Sequence, residues 1–294
     1  MTLHPRSGKG PRDENFPVGS FLLPKRIRSH VAAYYAYARA IDDIADSPHL
    51  PAGEKVRRLE DYKQTLEGTL SERTECVEAD RLRRTMDDAG VDRIHGTDLI
   101  VAFKQDAIKA RYRDWDELMH YCRYSAVPVG RFLIDLHGER RECYPASDAL
   151  CSALQVLNHL QDCKADYQLL DRVYVPMDWM DEFGANVSDL SGDAISPAIR
   201  GVKDRCLKAT DALLEAARPL PRMIHGVRFA MESQTIVHIA TRLRALLARK
   251  DPLAQRVALP RWELAGCFVR AVLGRSRALT RRPVAPNGLD SRKP

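Results

Sequence analysis

YYAYARAIDDIADSP, residues Tyr34 to Pro48, decides how this chain is read. Tyr34, Tyr37, Ala38 and Ile41 recur at steps of three and four, the signature of a helix with one apolar face. Asp42 and Asp46 stand four residues apart, so both carboxylates leave the same side of that helix. Asp43 lies beside them and Arg39 one turn earlier. Carboxylates crowded at one helical spot repel unless a cation neutralises them. Oxygen-only ligands suit Mg²⁺, which keeps several waters and shares its remaining positions with substrate phosphates. The alternative is a solvated helix end.

A second helical stretch lies more than a hundred residues on, QVLNHLQDCKAD from Gln155 to Asp166. Gln155, Asn158, Asp162 and Asp166 follow at steps of three, four and four, a continuous polar stripe. Val156, Leu157 and Leu160 supply apolar surface for packing. A solvated stripe mixes in Lys and Glu; this one holds short amides and carboxylates. Two such acidic helices facing each other would make one diphosphate–metal site.

Outward from these two stretches, composition sets the limits. The chain has 294 residues, and no Pro/Gly-rich linker interrupts its middle, which favours one all-α domain around a deep pocket over two domains. The 46 basic and 40 acidic residues leave a charge of +6, suited to an anionic substrate or a membrane surface. No basic block interleaves with aromatics, which argues against nucleic-acid binding. Seven scattered cysteines with no CxxC pair read as free thiols in a reducing compartment. No signal peptide or span of about 20 apolar residues appears, so the expectation is a soluble, cytoplasmic protein with peripheral membrane attachment left open.

Residues 1 to 13 read as a flexible arm, 14 to 280 as the helical domain, and 281 to 294 as a disordered tail. Ser20 and Phe21 are candidates for a pocket mouth, with a helix lead-in as the alternative. Helices are expected over Glu54–Leu66, Ala79–Ala89, Asp98–Tyr112 and Asp116–His137, the last kinked at Pro128, which removes a helical hydrogen bond. Asp106 is expected to pair with an Arg or Lys. Gly130 permits close approach of a neighbour or ligand, and Tyr124 would stand near the kink with its hydroxyl available; a core tyrosine is the alternative. Ser147 is expected to cap the second acidic helix. Arg172 is placed to reach back to a phosphate bound at Asp162 and Asp166. Helices over Ala194–Ala217 and Arg222–Lys250 carry His225 and His238 as ordinary face residues. Arg261 to Leu279 is a closing helix, or a basic amphipathic membrane contact through Trp262, Leu264, Phe268, Val269 and Val272.

These motifs resemble the squalene/phytoene synthase family from about Asn15 to Leu279. Asp42-Asp43-Ile44-Ala45-Asp46 with Arg39 upstream is similar to the family's first acidic motif. Tyr121-Cys122-Arg123-Tyr124-Ser125-Ala126 resembles its tyrosine segment. Gln155, Asn158, Leu160, Asp162 and Asp166, followed by Arg172, Tyr174 and Pro176, resemble its second signature. The resemblance implies an all-α isoprenoid-synthase bundle with a central cavity, and Mg²⁺ at Asp42, Asp43, Asp46, Asn158, Asp162 and Asp166. It further implies substrate contacts at Ser20, Phe21, Tyr121, Gln155 and Arg172, with catalytic roles for Tyr124 and Arg39.

Departures narrow the likeness. Ala45 stands where a squalene synthase has Glu, Gln161 where Arg is usual, and Ser125-Ala126-Val127-Pro128 replaces Val-Ala-Gly. Together with Asn15–Phe21 these resemble the hydroxysqualene synthase branch of bacterial hopanoid pathways, which ionises presqualene diphosphate and quenches the cation with water. That branch implies a presqualene diphosphate synthase and a squalene-forming oxidoreductase as functional partners. Alternatives are a head-to-head condensing synthase, a helical diphosphate hydrolase and a non-catalytic prenyl-binding partner.

Overall fold

A computed structural model describes residues 25–70 and 75–280. Ser20, Phe21, the N-terminal arm and the tail from 281 lie outside these residues. Four helices open the chain: α1 (Lys25–Asp46), α2 (Ala52–Glu67), α3 (Val77–Ala89) and α4 (Ile94–Ile108). Pro48 stops α1, since the residue before a proline is driven out of the helical region. Gly68 and Gly90 end α2 and α3 with φ of 80° and 64°, the left-handed conformation that glycine adopts without strain.

The stretch expected to be helical to Tyr112 leaves the helix at Lys109, where the backbone turns extended. It then forms a two-residue strand, β1 (Arg111–Tyr112). The expected long helix over 116–137 is two helices, α5 (Trp115–Ser125) and α6 (Val127–Leu136), broken at Ala126. Pro128 sits in the first turn of α6, where its missing N–H costs nothing. The proline thus starts a helix instead of kinking one.

α7 (Tyr144–Leu170) is the longest helix among the described residues. It begins at Tyr144 after a 3₁₀ turn, so Ser147 is a buried residue within it and not its cap. A Cβ at Gly130 would lie 2.5 Å from Ser147 Oγ and 2.6 Å from Cys151 Sγ; the close neighbour at that glycine is α7 itself. Asp171, in the left-handed region at φ 51°, turns the chain out of α7 into β2 (Val173–Pro176). β2 pairs in parallel with β1, the chain's one small sheet among the described residues.

The remaining helices are α8 (Met177–Glu182), α9 (Pro197–Ala217), α10 (Leu220–Met223), α11 (Val227–Arg249) and α12 (Arg261–Thr280). Ser196 caps α9 by accepting from the Ile199 N–H. His225 lies in the loop before α11, bonded to Glu139, and not on a helix face. His238 is on α11 as expected and meets Gln234.

The apolar interior forms two clusters. One gathers Tyr37, Ile41, Leu59, Leu82, Leu99 and their neighbours from α1 to α4. The other is built by α5, α7, α9 and α11 around Leu157, Val202 and Leu243. α6 serves both: Phe132 stacks on Tyr34 of the first at 4.1 Å, and Ile134 belongs to the second. The two acidic motifs therefore sit on different clusters, α1 on one and α7 on the other.

Candidate active site

Asp42, Asp43 and Asp46 all come from the last turn and a half of α1, and each keeps about 30 % of its side chain accessible. Arg39 pairs with Asp42 at 2.8 Å and Asp43 at 3.5 Å. Burial, and then the charge of Asp46, push the Asp42 carboxyl well above its usual range, against the pull of Arg39. With three carboxylates to one arginine, the motif favours a cation beside Asp42, whose ionised form burial otherwise opposes.

Arg172 ties the opposite acidic helix to it. Arg172 donates its backbone N–H to the Asp166 carbonyl, closing the end of α7. Its side chain, 8 % exposed, pairs with Asp46 at 2.5 Å and donates to the Ala45 carbonyl at 3.1 Å. Arg172 therefore reaches the end of α1, whereas the sequence placed it toward Asp162 and Asp166. The reason is the αL turn at Asp171 and the β1–β2 pairing, which aim the side chain away from its own helix.

Gln155, Asn158, Asp162 and Asp166 are all half-buried along α7. Behind the stripe lies an aromatic cluster. Asp106 is buried and accepts from the Tyr121 hydroxyl at 2.7 Å and the Tyr174 hydroxyl at 3.0 Å. The sequence expectation of an Arg or Lys partner fails here: α5 and β2 bring two phenols to the carboxylate instead. Burial lifts its pKa to about 6, with Arg172 and the two phenols opposing. Tyr112 stacks on Tyr174 at 5.5 Å, and His159 lies flat on Tyr174 at 3.8 Å.

Tyr124 is not brought into this cluster. It is half-buried one turn on from Tyr121, with its ring against His120 and Arg123 of its own helix. Asp106, Tyr112, Tyr174 and His159 were not chosen as site residues from the sequence. Two signals pointed to them: a carboxylate on the packed face of α4, and a histidine inside the second acidic motif.

Among the described residues no group of three or more His, Cys, Asp or Glu side chains converges as a self-sufficient metal cage. Partly accessible carboxylates fit instead a hard cation that takes one or two protein ligands and completes its shell with water and phosphate.

The squalene/phytoene synthase family model matches residues 10–263. The chain belongs to the squalene/phytoene synthase family. Among relatives in that family, a hydroxysqualene synthase of Rhodopseudomonas palustris is 45 % identical over 86 % of each chain. One of Zymomonas mobilis is 41 % identical over 92 % of this chain and 90 % of its own. The crystal structure of a squalene synthase from Alicyclobacillus acidocaldarius superposes with a TM-score of 0.69 at 28 % identity, covering 79 % of this chain and 87 % of that one. The squalene/phytoene synthase fold accounts for the all-α architecture and for an enzyme acting on a prenyl diphosphate.

Proposed function

We propose that this chain ionises presqualene diphosphate and delivers the rearranged cation to water, giving hydroxysqualene and diphosphate. The observation that carries this reading is 41–45 % identity to two hydroxysqualene synthases over nearly the whole chain. It is supported by the two acidic helices that Arg172 joins.

Asp42, Asp46, Asp162 and Asp166, with Asp43 and Asn158 beside them, are the groups proposed to hold Mg²⁺. That ion would neutralise charge on the leaving diphosphate. Arg39 and Arg172 supply charge-assisted hydrogen bonds to phosphate oxygens, and substrate binding would draw Arg172 from Asp46 toward the diphosphate. Tyr121, Tyr112 and Tyr174 offer π-faces and a water-poor wall to a carbocation. Tyr124 is proposed to steer that cation from the edge of the wall, and Ser20 and Phe21 to meet the substrate at the mouth.

No helix among the described residues is long and apolar enough to cross a membrane. Trp262, Val269 and Leu273 of α12 share one outward face and are 72, 51 and 56 % exposed. This face supports peripheral attachment, by which a water-insoluble product would leave. Presqualene diphosphate must come from a condensing enzyme, and the alcohol must pass to an oxidoreductase that forms squalene.

Incubation with presqualene diphosphate, Mg²⁺ and oxygen-18 water tests the reading. Labelled hydroxysqualene is expected, with NADPH changing neither rate nor product. Farnesyl diphosphate alone is expected to give little product. Efficient formation of presqualene diphosphate from it would instead make this chain the condensing enzyme.

A further inference from the structure

One side of α12 is packed and the other is bare. Cys267 and Ala271, one helical turn apart, are 4 and 1 % exposed and seat the helix against α11. Trp262, Gly266, Val269 and Leu273 follow at steps of four, three and four and share the opposite side. Nothing but the helix itself stands within 4 Å of where a Gly266 Cβ would lie. Beside this stripe a cavity of about 150 Å³ opens between α11 and α12, lined by His238, Arg242, Trp262, Gly266, Cys267 and Arg270. Arg242 commits Nε and one terminal nitrogen to Glu263, at 3.1 and 2.9 Å. Arg270 is exposed and makes no ion pair among the described residues.

We propose that this face of α12 sits on an anionic phospholipid bilayer, with a headgroup phosphate held in the α11–α12 cavity between Arg242 and Arg270. The inference rests on the peripheral attachment proposed above, and its test needs no substrate, so it fails separately from the reaction. An interfacial helix lies in the headgroup plane with an apolar stripe turned inward and basic residues at its margins. On α12 the helical repeat puts Arg261 and Arg270 on the two flanks of the stripe. Trp262 is the kind of side chain that such a boundary favours, an amphipathic ring at headgroup level. Guanidinium groups suit the phosphate because they hold its oxygens through paired, charge-assisted N–H bonds.

Charge decides among the possible occupants. From Arg261 to Arg282 the sequence has six arginines and a single acid, Glu263. The last stretch of the chain, 281–294, has four basic residues, Arg281, Arg282, Arg292 and Lys293, and one acid, Asp290. It matches the charge of the cavity instead of complementing it. Residues 1–24 hold three basic and two acidic side chains and offer the cavity no net anion. A second copy, paired about a two-fold axis, would set one basic face against another. An anionic bilayer attracts every arginine near its surface and at the same time takes up the apolar stripe.

Vesicle binding read by tryptophan fluorescence tests this. Trp262 is the exposed one of three tryptophans; Trp179 is buried and stacks on the half-buried Trp115. The full-length protein should float with vesicles of phosphatidylglycerol and phosphatidylcholine in equal parts, its emission moving to the blue. It should stay in solution with phosphatidylcholine alone, and high salt should release it. Arg270→Glu should weaken partitioning by roughly tenfold or more, because the reversal removes an attraction and adds a repulsion. Trp262→Ser should lose the blue shift and float less. Both positions are exposed, so circular dichroism should show the helices intact. Equal binding to the two kinds of vesicle, binding to neither, or unaltered flotation of Arg270→Glu overturns the inference. The same blue shift on adding inorganic phosphate without vesicles would make this a free-phosphate site and overturn the bilayer. Wild-type emission that is already blue and shielded from acrylamide without lipid also overturns it: the cover is then the chain's own undescribed segments if the protein sediments as a monomer, or a second copy if as a dimer. Hydroxysqualene formed in detergent by a protein that binds no vesicle would refute this inference and leave the proposed reaction standing.

Discussion

Arg172→Ala should cost more stability than any exposed arginine of this chain. The side chain is 8 % exposed and holds Asp46 at 2.5 Å and the Ala45 carbonyl at 3.1 Å. Breaking a buried ion pair from one side costs about 3–5 kcal/mol. Asp46 is 34 % exposed and recovers some hydration, which puts the expectation at the lower end, about 3 kcal/mol. At roughly 2 °C per kcal/mol for a chain of this size, Tm should drop by about 6 °C. Arg172→Lys should fall between, because one ammonium lacks the guanidinium's fork for two partners. The decisive assay is a double-mutant cycle with Asp46→Asn, read by thermal melts at neutral pH. The double variant should be less destabilised than the sum of the singles by about 1–3 kcal/mol. Strict additivity, or Arg172→Ala melting within 1 °C of wild type, would refute the idea that this pair ties the two halves together.

Three further outcomes are expected. Asp162→Asn should lower diphosphate release from presqualene diphosphate by orders of magnitude with helical content intact by circular dichroism, and excess EDTA should do the same to the wild type. Tyr124→Phe should leave KM nearly unchanged and reduce kcat or shift the product mixture; an unchanged rate and product would reject its role. Burial lifts the Glu232 carboxyl to about 7, so the folded state holds its proton more tightly than the unfolded chain does. Stability associated with that proton is complete below about pH 4.5 and is lost as pH rises through 7, by at most about 3 kcal/mol. Glu232→Gln should therefore raise Tm at pH 8 and leave it nearly unchanged at pH 4.5, as differential scanning calorimetry would show.

What the sequence by itself determined is what lies along single helices. Asp42 and Asp46, or Asn158, Asp162 and Asp166, share a face because 3.6 residues make a turn, whatever the rest of the chain does. Helix ends at Pro48, Gly68 and Gly90 follow from local backbone chemistry. Family likeness rested on the same short motifs, and the matched family bears it out. Wherever a partner comes from another element, the tertiary structure decided. Asp106 met Tyr121 and Tyr174 and not a cation, because α5 and β2 converge on it from 15 and 68 residues away. Arg172 went to Asp46 across 126 residues because an αL turn at Asp171 and a short parallel strand pair aim it there. Ser147 became a buried contact for Gly130 because α7 starts a turn earlier than its polar residues suggest. Periodicity records the face a side chain takes; the charge or ring it meets there depends on chain segments that fold alongside it, and that information is not local.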